Sequence, residues 1–156
     1  MKIKLIFFGK TDNEYLKEGI QIFSKRLKHY IPHEVNELVI KQSLKINPEE
    51  QKEREAQLLL KHLKPQDYLI LLDEKGKEFS STEFANWIQK KMNSGIKNLV
   101  FAVGGPLGFS DEIREKAKMQ LSMSRMTFSH QMVRLFFLEQ LYRAFTIIRN
   151  EPYHNV

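Results

Sequence analysis

Three short segments combine residue types and spacing that suit a ligand-binding or catalytic site. The first is Leu72-Asp73 at the end of an apolar run, the second is the loop over residues 104–108 (GGPLG), and the third is the segment over residues 124–129. Adjacent glycines admit positive φ and let a ligand approach the backbone closely. On spacing alone, the ordinary alternative for the loop, a turn before the next helix, is equally open.

The glycine loop carries neither of the common phosphate-binding signatures. A dinucleotide fingerprint needs G-x-G-x-x-G, which the loop does not contain. A Walker-type loop ends in Gly-Lys-Ser/Thr, whereas Gly76-Lys77 is followed by Glu78. The segments therefore predict a site for some other kind of ligand.

Most other catalytic patterns are absent from the sequence. The chain has no cysteine and no G-x-S-x-G elbow. Its five histidines show no metal-ligand spacing on a helix, so the sequence predicts no metal. An enzyme without these catalytic groups can act when its cosubstrate is already activated, as in methyl transfer from a sulfonium. That reaction asks mainly for alignment and the removal of one proton.

The composition bounds the class of protein. A chain of 156 residues with 42% hydrophobic and 28% charged residues fits one globular domain, predicted to span residues 1–156. No run approaches the roughly 18 apolar residues of a membrane span, and no cysteine or signal peptide is present, so we expect a cytoplasmic protein. The formal net charge of +6 favours anionic partners such as nucleic acid. The densest basic cluster, residues 24–29, is interpreted as a solvated helix face.

The segments are positioned by alternating strand and helix signals. The pattern predicts an α/β fold, a mostly parallel sheet with helices on both faces. The predicted strands cover residues 3–8, 35–40, 68–72, 99–103 and 123–128. The predicted helices, with their caps, cover residues 12–30, 47–63, 80–92, 110–119 and 129–150, and residues 42–47 are predicted to form a loop.

The last helix is unusually apolar. From position 132 to 148 the polar residues are only Arg134, Glu139, Gln140, Arg143 and Thr146. A helix that is apolar almost all round must be buried almost all round. A second subunit is the favoured explanation, and the alternative is a central helix within one subunit.

Several motifs, in order along the chain, resemble those of one family. They are FAVGGPLG at residues 101–108, LSMSRMTFSH at 121–130, EQLYRA at 139–144 and PYH at 152–154. Together they resemble the ribosomal RNA large-subunit methyltransferase H family of the SPOUT superfamily. The sequence departs from the family pattern at Leu107, Ser129 and Asn155, where an acidic residue, a proline and a basic residue are more usual.

The resemblance implies a fold, a cofactor and a reaction. The fold would be SPOUT-type with a C-terminal trefoil knot, and the protein a homodimer with its sites at the interface. The reaction would be S-adenosylmethionine-dependent N3-methylation of pseudouridine 1915 in 23S rRNA of the assembled ribosome. The implied cofactor contacts are Leu72, Gly105, Ser124, Arg125, Met126, Thr127, Phe128 and Ser129.

The resemblance also assigns residues of the last helix and tail to the RNA. We predict that Arg134, Arg143, Tyr153 and His154 bind substrate, with His154 and Arg143 as catalytic residues. Arginine pairs well with phosphate, tyrosine stacks on unpaired bases, and histidine orients a base or accepts its proton. In the structural alternative, Arg143 is the helix partner of Glu139 and the tail is frayed.

Two other functions stay open on the sequence. One is a SPOUT methyltransferase that acts on a different RNA, such as tRNA, and a product assay on both RNAs separates the two. The other is a non-catalytic ribosome-binding module that retains the fold. Such a module would not bind S-adenosylmethionine, so calorimetry with the cofactor discriminates.

Overall fold

The computed structural model describes residues 1–41 and 46–155. Strands and helices alternate along the chain as the sequence predicts. In chain order they are β1 (Lys2–Phe8), α1 (Glu14–Leu27), β2 (His33–Leu38), α2 (Pro48–His62), β3 (Asp67–Glu78), α3 (Ser81–Asn93), β4 (Asn98–Val103), α4 (Asp111–Lys116), β5 (Met119–Ser122) and α5 (Met132–Ile148). Positions 42–45 of the predicted loop lie outside the described residues.

The five strands form one sheet in the order β2-β1-β4-β3-β5, and every pair is parallel. Helices α1, α3 and α5 cover one face around Phe101 and Phe137, whereas α2 and α4 cover the other around Leu59 and Ile113. The central strands are apolar because both of their faces are buried. The predicted α/β class, with a parallel sheet between two helix layers, is confirmed.

Three helices begin where their capping residues predict. The Asn47 side chain, which precedes Pro48, accepts a hydrogen bond from the Glu50 N–H. The Ser110 side chain accepts one from the Ile113 N–H. Ser80 and Glu83 form a reciprocal capping box at the start of α3. Each side chain satisfies an N–H that has no partner within its helix. These caps fix the starts of α2, α3 and α4 beside the sheet.

The prediction for the fifth strand was wrong. The structure places β5 at Met119–Ser122, whereas residues 123–128 form a loop, and α4 ends at Lys116 rather than at 119. Serine hydroxyls compete for the backbone of this segment. Ser122 Oγ donates to the Ser124 carbonyl at 2.9 Å, and Ser124 Oγ accepts from the Met126 N–H at 2.9 Å. These bonds curl the chain away from the sheet.

Most of α5 is covered within the chain itself. It lies on the sheet between α1 and α3, with Phe137, Leu138 and Leu141 fully buried. The central-helix explanation therefore accounts for most of its apolar character, and burial alone does not require a second subunit. What stays exposed is Phe136, whose ring lies 5.2 Å from that of Phe128. Among the described helices, none is both long and apolar enough to cross a membrane.

Candidate functional site

A cleft of about 550 Å³ opens at the carboxyl edge of β3, β4 and β5. We call it the glycine cleft, since the loop over residues 104–108 forms one wall. The segments 72–75 and 123–130 form the other walls, and Leu121 and Val133 line it as well. Ligands of open parallel sheets bind beyond the carboxyl ends of the strands. The three predicted segments therefore meet in one cleft.

The glycine loop is held in a tight turn. The Gly108 N–H donates to the Gly105 carbonyl at 3.1 Å, and Gly108 has a φ of +74°. A Cβ at Gly104 would lie 3.3 Å from the Phe109 ring, and a Cβ at Gly105 would lie 3.2 Å from Oε1 of Glu55. Gly105 is thus constrained by the carboxylate behind the loop. The loop is both the turn before α4 and a wall of the cleft.

The segment over residues 124–129 uses its hydroxyl groups to hold its own shape. Thr127 Oγ1 donates to Glu74 Oε2 at 2.9 Å, and this bond joins the segment to the β3 wall of the cleft. Ser129 Oγ accepts from the Met132 N–H at 3.0 Å at the start of α5. With these side chains engaged, main-chain groups are left to contact a ligand.

The third wall is an excursion of β3. Leu72 and Lys77 both pair with Leu121, so the four residues between them leave the ladder, and three of these, Asp73, Glu74 and Lys75, line the cleft. Arg114 anchors the excursion, since its Nη2 lies 2.7 Å from Asp73 Oδ2 and its Nη1 donates to Gln120. At Gly76 a Cβ would lie 2.5 Å from the Gln120 carbonyl carbon, closer than a side chain can pack. Only glycine fits where the excursion rejoins the sheet.

Seven of the eight predicted cofactor residues line the glycine cleft. They are Leu72, Gly105, Ser124, Met126, Thr127, Phe128 and Ser129. Arg125 does not line it, because its side chain is 90% exposed and points towards Glu78, with 3.9 Å between Nε and Oε1. Leu107, one of the departures from the family pattern, also lines the cleft.

A second group of predicted residues forms a cluster at the far end of α5. Arg143 Nη2 lies 2.5 Å from Glu139 Oε1, and the Tyr153 hydroxyl donates to the same oxygen at 2.9 Å. The Arg143 guanidinium lies over the Tyr153 ring at 4.7 Å, and its Nη1 lies 3.3 Å from His154 Nδ1. We call Glu139, Arg143, Tyr153 and His154 the tail cluster. Burial and the Glu139 carboxylate raise the pKa of Tyr153.

The arginine contact fixes how His154 presents its ring. A guanidinium has only donors, so Nδ1 of His154 must be the acceptor in this contact. The proton of the neutral imidazole then sits on Nε2. In this arrangement Nε2 of His154 donates a hydrogen bond rather than accepting a proton.

The tail is tied to the fold and is not frayed. Tyr30 donates its hydroxyl to Glu151, and Arg149 lies over the Tyr30 ring at 4.6 Å. The hydrogen bond to Glu151, with burial, raises the pKa of Tyr30 to about 12. Asn150 takes a positive φ of 55°, which turns the chain out of α5. The helix-partner explanation of Arg143 is correct as geometry, but the frayed-tail explanation is wrong.

Arg134 does not have the role that was predicted for it. Its side chain is fully buried, so it cannot reach an RNA surface. Nη2 donates to the Phe8 carbonyl at 2.6 Å, Nη1 to the Gly9 carbonyl at 3.0 Å, and Nε to the His130 carbonyl at 3.2 Å. Burial lowers the pKa of Arg134. The residue joins the end of β1 to the start of α5.

A groove of about 380 Å³ connects the glycine cleft with the tail cluster. It shares Leu121, Met123 and Phe128 with the cleft and reaches Glu139. Arg143, Tyr153 and His154 line neither. The predicted cofactor and substrate residues are therefore neighbours within one chain but do not share a cavity.

Sequence reasoning gave Glu139 only as the helix partner of Arg143, and it missed Glu55. Glu139 organises the tail cluster, and the signal for it was its position in the EQLYRA motif. Glu55 is buried behind Gly105, but its sequence context, a charged helix, carried no signal. Over residues 1–41 and 46–155, no group of three or more histidine, aspartate or glutamate side chains is arranged to hold a metal ion.

Comparison with known proteins identifies the family. A family described as "Predicted SPOUT methyltransferase" matches residues 1–154. The chain is 56% identical to the ribosomal RNA large subunit methyltransferase H of Flavobacterium johnsoniae and 55% identical to that of Flavobacterium psychrophilum. It is 51% identical to that of Christiangramia forsetii, and each match covers 99% of both chains. The chain therefore belongs to the SPOUT methyltransferase family, among the ribosomal RNA large subunit methyltransferase H proteins.

Proposed function

We propose that this protein transfers a methyl group from S-adenosylmethionine to N3 of pseudouridine 1915 in the 23S rRNA of the assembled ribosome. The observation that carries the proposal is the glycine cleft, in which seven of the eight residues implied by the family resemblance converge. The names of the relatives favour ribosomal RNA over tRNA as the substrate.

The glycine cleft fits the proposed cofactor in size and chemistry. Its volume of about 550 Å³ lies within the range of small-molecule sites. Leu72, Val103 and Leu121 offer an apolar floor for a nucleobase, and the main chain of residues 104–108 and 124–129 offers hydrogen-bonding groups around it. S-adenosylmethionine, when bound, supplies a methyl group already activated on a sulfonium. The residues of the cleft bind it, orient it and exclude water.

The tail cluster would act on the base. N3 gives up its proton to solvent as it takes up the methyl group, and the negative charge that develops lies on the neighbouring carbonyl oxygens of the ring. The Nε2–H of His154 is suited to donate a hydrogen bond to such an oxygen, because Arg143 holds its Nδ1. Glu139 holds Arg143 and Tyr153 in place, so the cluster is organised before the base arrives. Arg143 also supplies a positive charge for a phosphate or a developing anion.

We further propose that the protein is a homodimer in the cytoplasm, where ribosomes are found. The exposed pair Phe128 and Phe136 lies between the glycine cleft and the groove, and it offers an apolar patch for a second copy. In such a dimer the tail cluster of one chain would have to reach the cleft of the other, because Arg143, Tyr153 and His154 line neither the cleft nor the groove within one chain. We also propose that residues 1–156 form one domain with a C-terminal trefoil knot. Sedimentation of Phe136→Asp tests the dimer, since a buried unpaired charge should dissociate it.

The reaction is tested by product analysis. Purified protein is incubated with methyl-labelled S-adenosylmethionine and ribosomes that lack the modification, and the 23S rRNA is digested to nucleosides for mass spectrometry. We expect one labelled product, N3-methylpseudouridine, from position 1915. Label in tRNA, or at another rRNA position, would contradict the proposed substrate. Absence of cofactor binding by calorimetry would contradict the enzyme assignment.

A further inference from the structure

Glu55 is a buried carboxylate that the proposed reaction does not use. It lies on α2 and is 7% exposed. Its one hydrogen bond among the described residues comes from Gln51, with 3.3 Å between Nε2 and Oε1. Burial raises the pKa of Glu55, and the bond from Gln51 only partly opposes this shift. A carboxyl group in this position costs the fold stability.

The carboxylate faces a cleft of its own. This rear cleft is lined by Phe8, Gly9, Lys10, Glu55, Pro106 and His130, among others. Gly105 separates it from the glycine cleft, since a Cβ at Gly105 would point at Glu55 from 3.2 Å away. Gly105, Pro106 and His130 line both clefts. One turn of main chain therefore lies between the proposed cofactor and Glu55.

The sheet topology places the rear cleft where ligands are expected. Strands β1 and β4 are neighbours, but β1 leads into α1 on one face and β4 into α4 on the other. Adjacent strands whose connections leave to opposite faces open a crevice at their carboxyl ends, which is the usual ligand position in open α/β sheets.

One oxygen of Glu55 is left for a ligand. Oε2 has no hydrogen-bond partner among the described residues. In the same part of the chain, no polar side-chain atom is both enclosed and unpaired, so Oε2 keeps contact with solvent. Ionised carboxylate oxygens only accept hydrogen bonds. Glu55 can therefore accept a hydrogen bond from a ligand that has an N–H or O–H group.

The proposed substrate carries a donor of this kind. Pseudouridine has two ring N–H groups, at N1 and N3, and N3 must face the cofactor to be methylated. The free donor is N1–H, which uridine lacks because its N1 is bonded to the ribose. We propose that the rear cleft holds the edge of the target base and that Glu55 accepts a hydrogen bond from N1–H, which selects pseudouridine over uridine. The inference rests on the proposed function.

The test compares two kinds of ribosome, which carry either pseudouridine or uridine at the target position. For each, kcat/KM is measured with the wild-type protein, with Glu55→Gln and with Glu55→Met. Methionine has a similar volume without an acceptor, whereas glutamine keeps a neutral one. We expect the preference for pseudouridine to fall by about 10- to 100-fold in Glu55→Met and by less in Glu55→Gln. The exposed Glu53→Gln, on the same helix, is the matched control and should keep the preference.

Two further measurements separate selection from a structural role. Because the buried carboxylate costs stability, Glu55→Gln and Glu55→Met should melt at or above the wild-type temperature, and S-adenosylmethionine should bind with unchanged affinity in calorimetry. An unchanged preference for pseudouridine, or an equal loss on both ribosomes, would overturn the role of Glu55 alone. If the wild-type protein methylates neither ribosome, the proposed function falls and this inference with it.

Discussion

The two arginines of α5 have opposite environments. Arg134 is fully buried, and its guanidinium binds main-chain carbonyls at the end of β1 and the start of α5. The Arg143 side chain is 25% exposed and is bound to Glu139, Tyr153 and His154. The first holds the framework of the site, and the second belongs to the proposed reactive end. The same residue type on one helix thus holds the framework at one end and, in the proposed reaction, serves chemistry at the other.

Neighbouring elements account for this difference. Arg134 faces the carboxyl end of β1, where it binds the carbonyls of Phe8 and Gly9. Arg143 faces the tail, which Tyr30 fixes through Glu151. A planar guanidinium suits both settings because it has five donors in a fixed arrangement. The residue type alone therefore does not assign the role.

The largest expected effect is on the stability of an Arg134 variant. Arg134→Met leaves three main-chain carbonyls and the Thr11 hydroxyl without their donor, and it should lower the free energy of unfolding by about 3 kcal/mol or more. Arg143→Met, the matched control on the same helix, loses a partly exposed ion pair and should lower it by about 1 kcal/mol or less. Urea denaturation measures both. Equal losses would contradict the distinction between the two ends of α5.

A smaller effect is expected at Gly76, where β3 rejoins the sheet beside the glycine cleft. In Gly76→Ala the new methyl would lie 2.5 to 2.7 Å from the backbone of Gln120 and Leu121, so one strand must shift. Overpacking of this kind should cost about 2 kcal/mol. Gly19→Ala is the control, because its methyl would meet only the flexible end of Leu135 and alanine favours a helix. Thermal unfolding in which Gly76→Ala matches the wild type would refute the close approach.

The smallest effect is expected at the anchor of the tail. The protonated Tyr30 hydroxyl donates to Glu151, so the folded protein holds this proton more tightly than an unfolded chain, in which the tyrosine pKa is near 10. The stabilisation, about 1 kcal/mol for one hydrogen bond, is complete below pH 10 and is lost as the pH rises towards about 12. Tyr30→Phe should lack this part of the alkaline loss of stability. Denaturation curves of both proteins at pH 8 and pH 11 check it, and identical pH dependence would contradict the anchor.

Much of the fold was predictable because local signals agreed with it. The apolar runs of β3 and β4 and the caps at Asn47, Ser80 and Ser110 reflect short-range physics that the sequence carries. The position of β5 was not predictable, because serine hydroxyls at 122 and 124 bend an otherwise strand-like segment. The convergence of the three cleft segments followed from the rule for parallel sheets.

The side-chain roles at the site were harder to predict. The pairing of Arg143 with Glu139, four residues before it, is a local pattern, but the contacts of Arg134 with β1 and of Arg143 with the tail depend on what lies opposite them in space. Glu55 lies among exposed charges on α2, and only the packing of that helix against Gly105 distinguishes it. The resemblance to the family supplied the tail residues, but the structure showed that Glu139 organises them.

In the proposed reaction the glycine cleft binds the cofactor, whereas the tail cluster serves the RNA. The most direct measurement uses a protein that ends at Asn150, with calorimetry of S-adenosylmethionine and methylation of ribosomes measured on the same preparation, and Arg143→Ala in parallel. We expect both variants to bind the cofactor as the full chain does, while methylation falls by about 100-fold or more. Methylation at the wild-type rate by both variants would contradict the role of the tail cluster in the reaction.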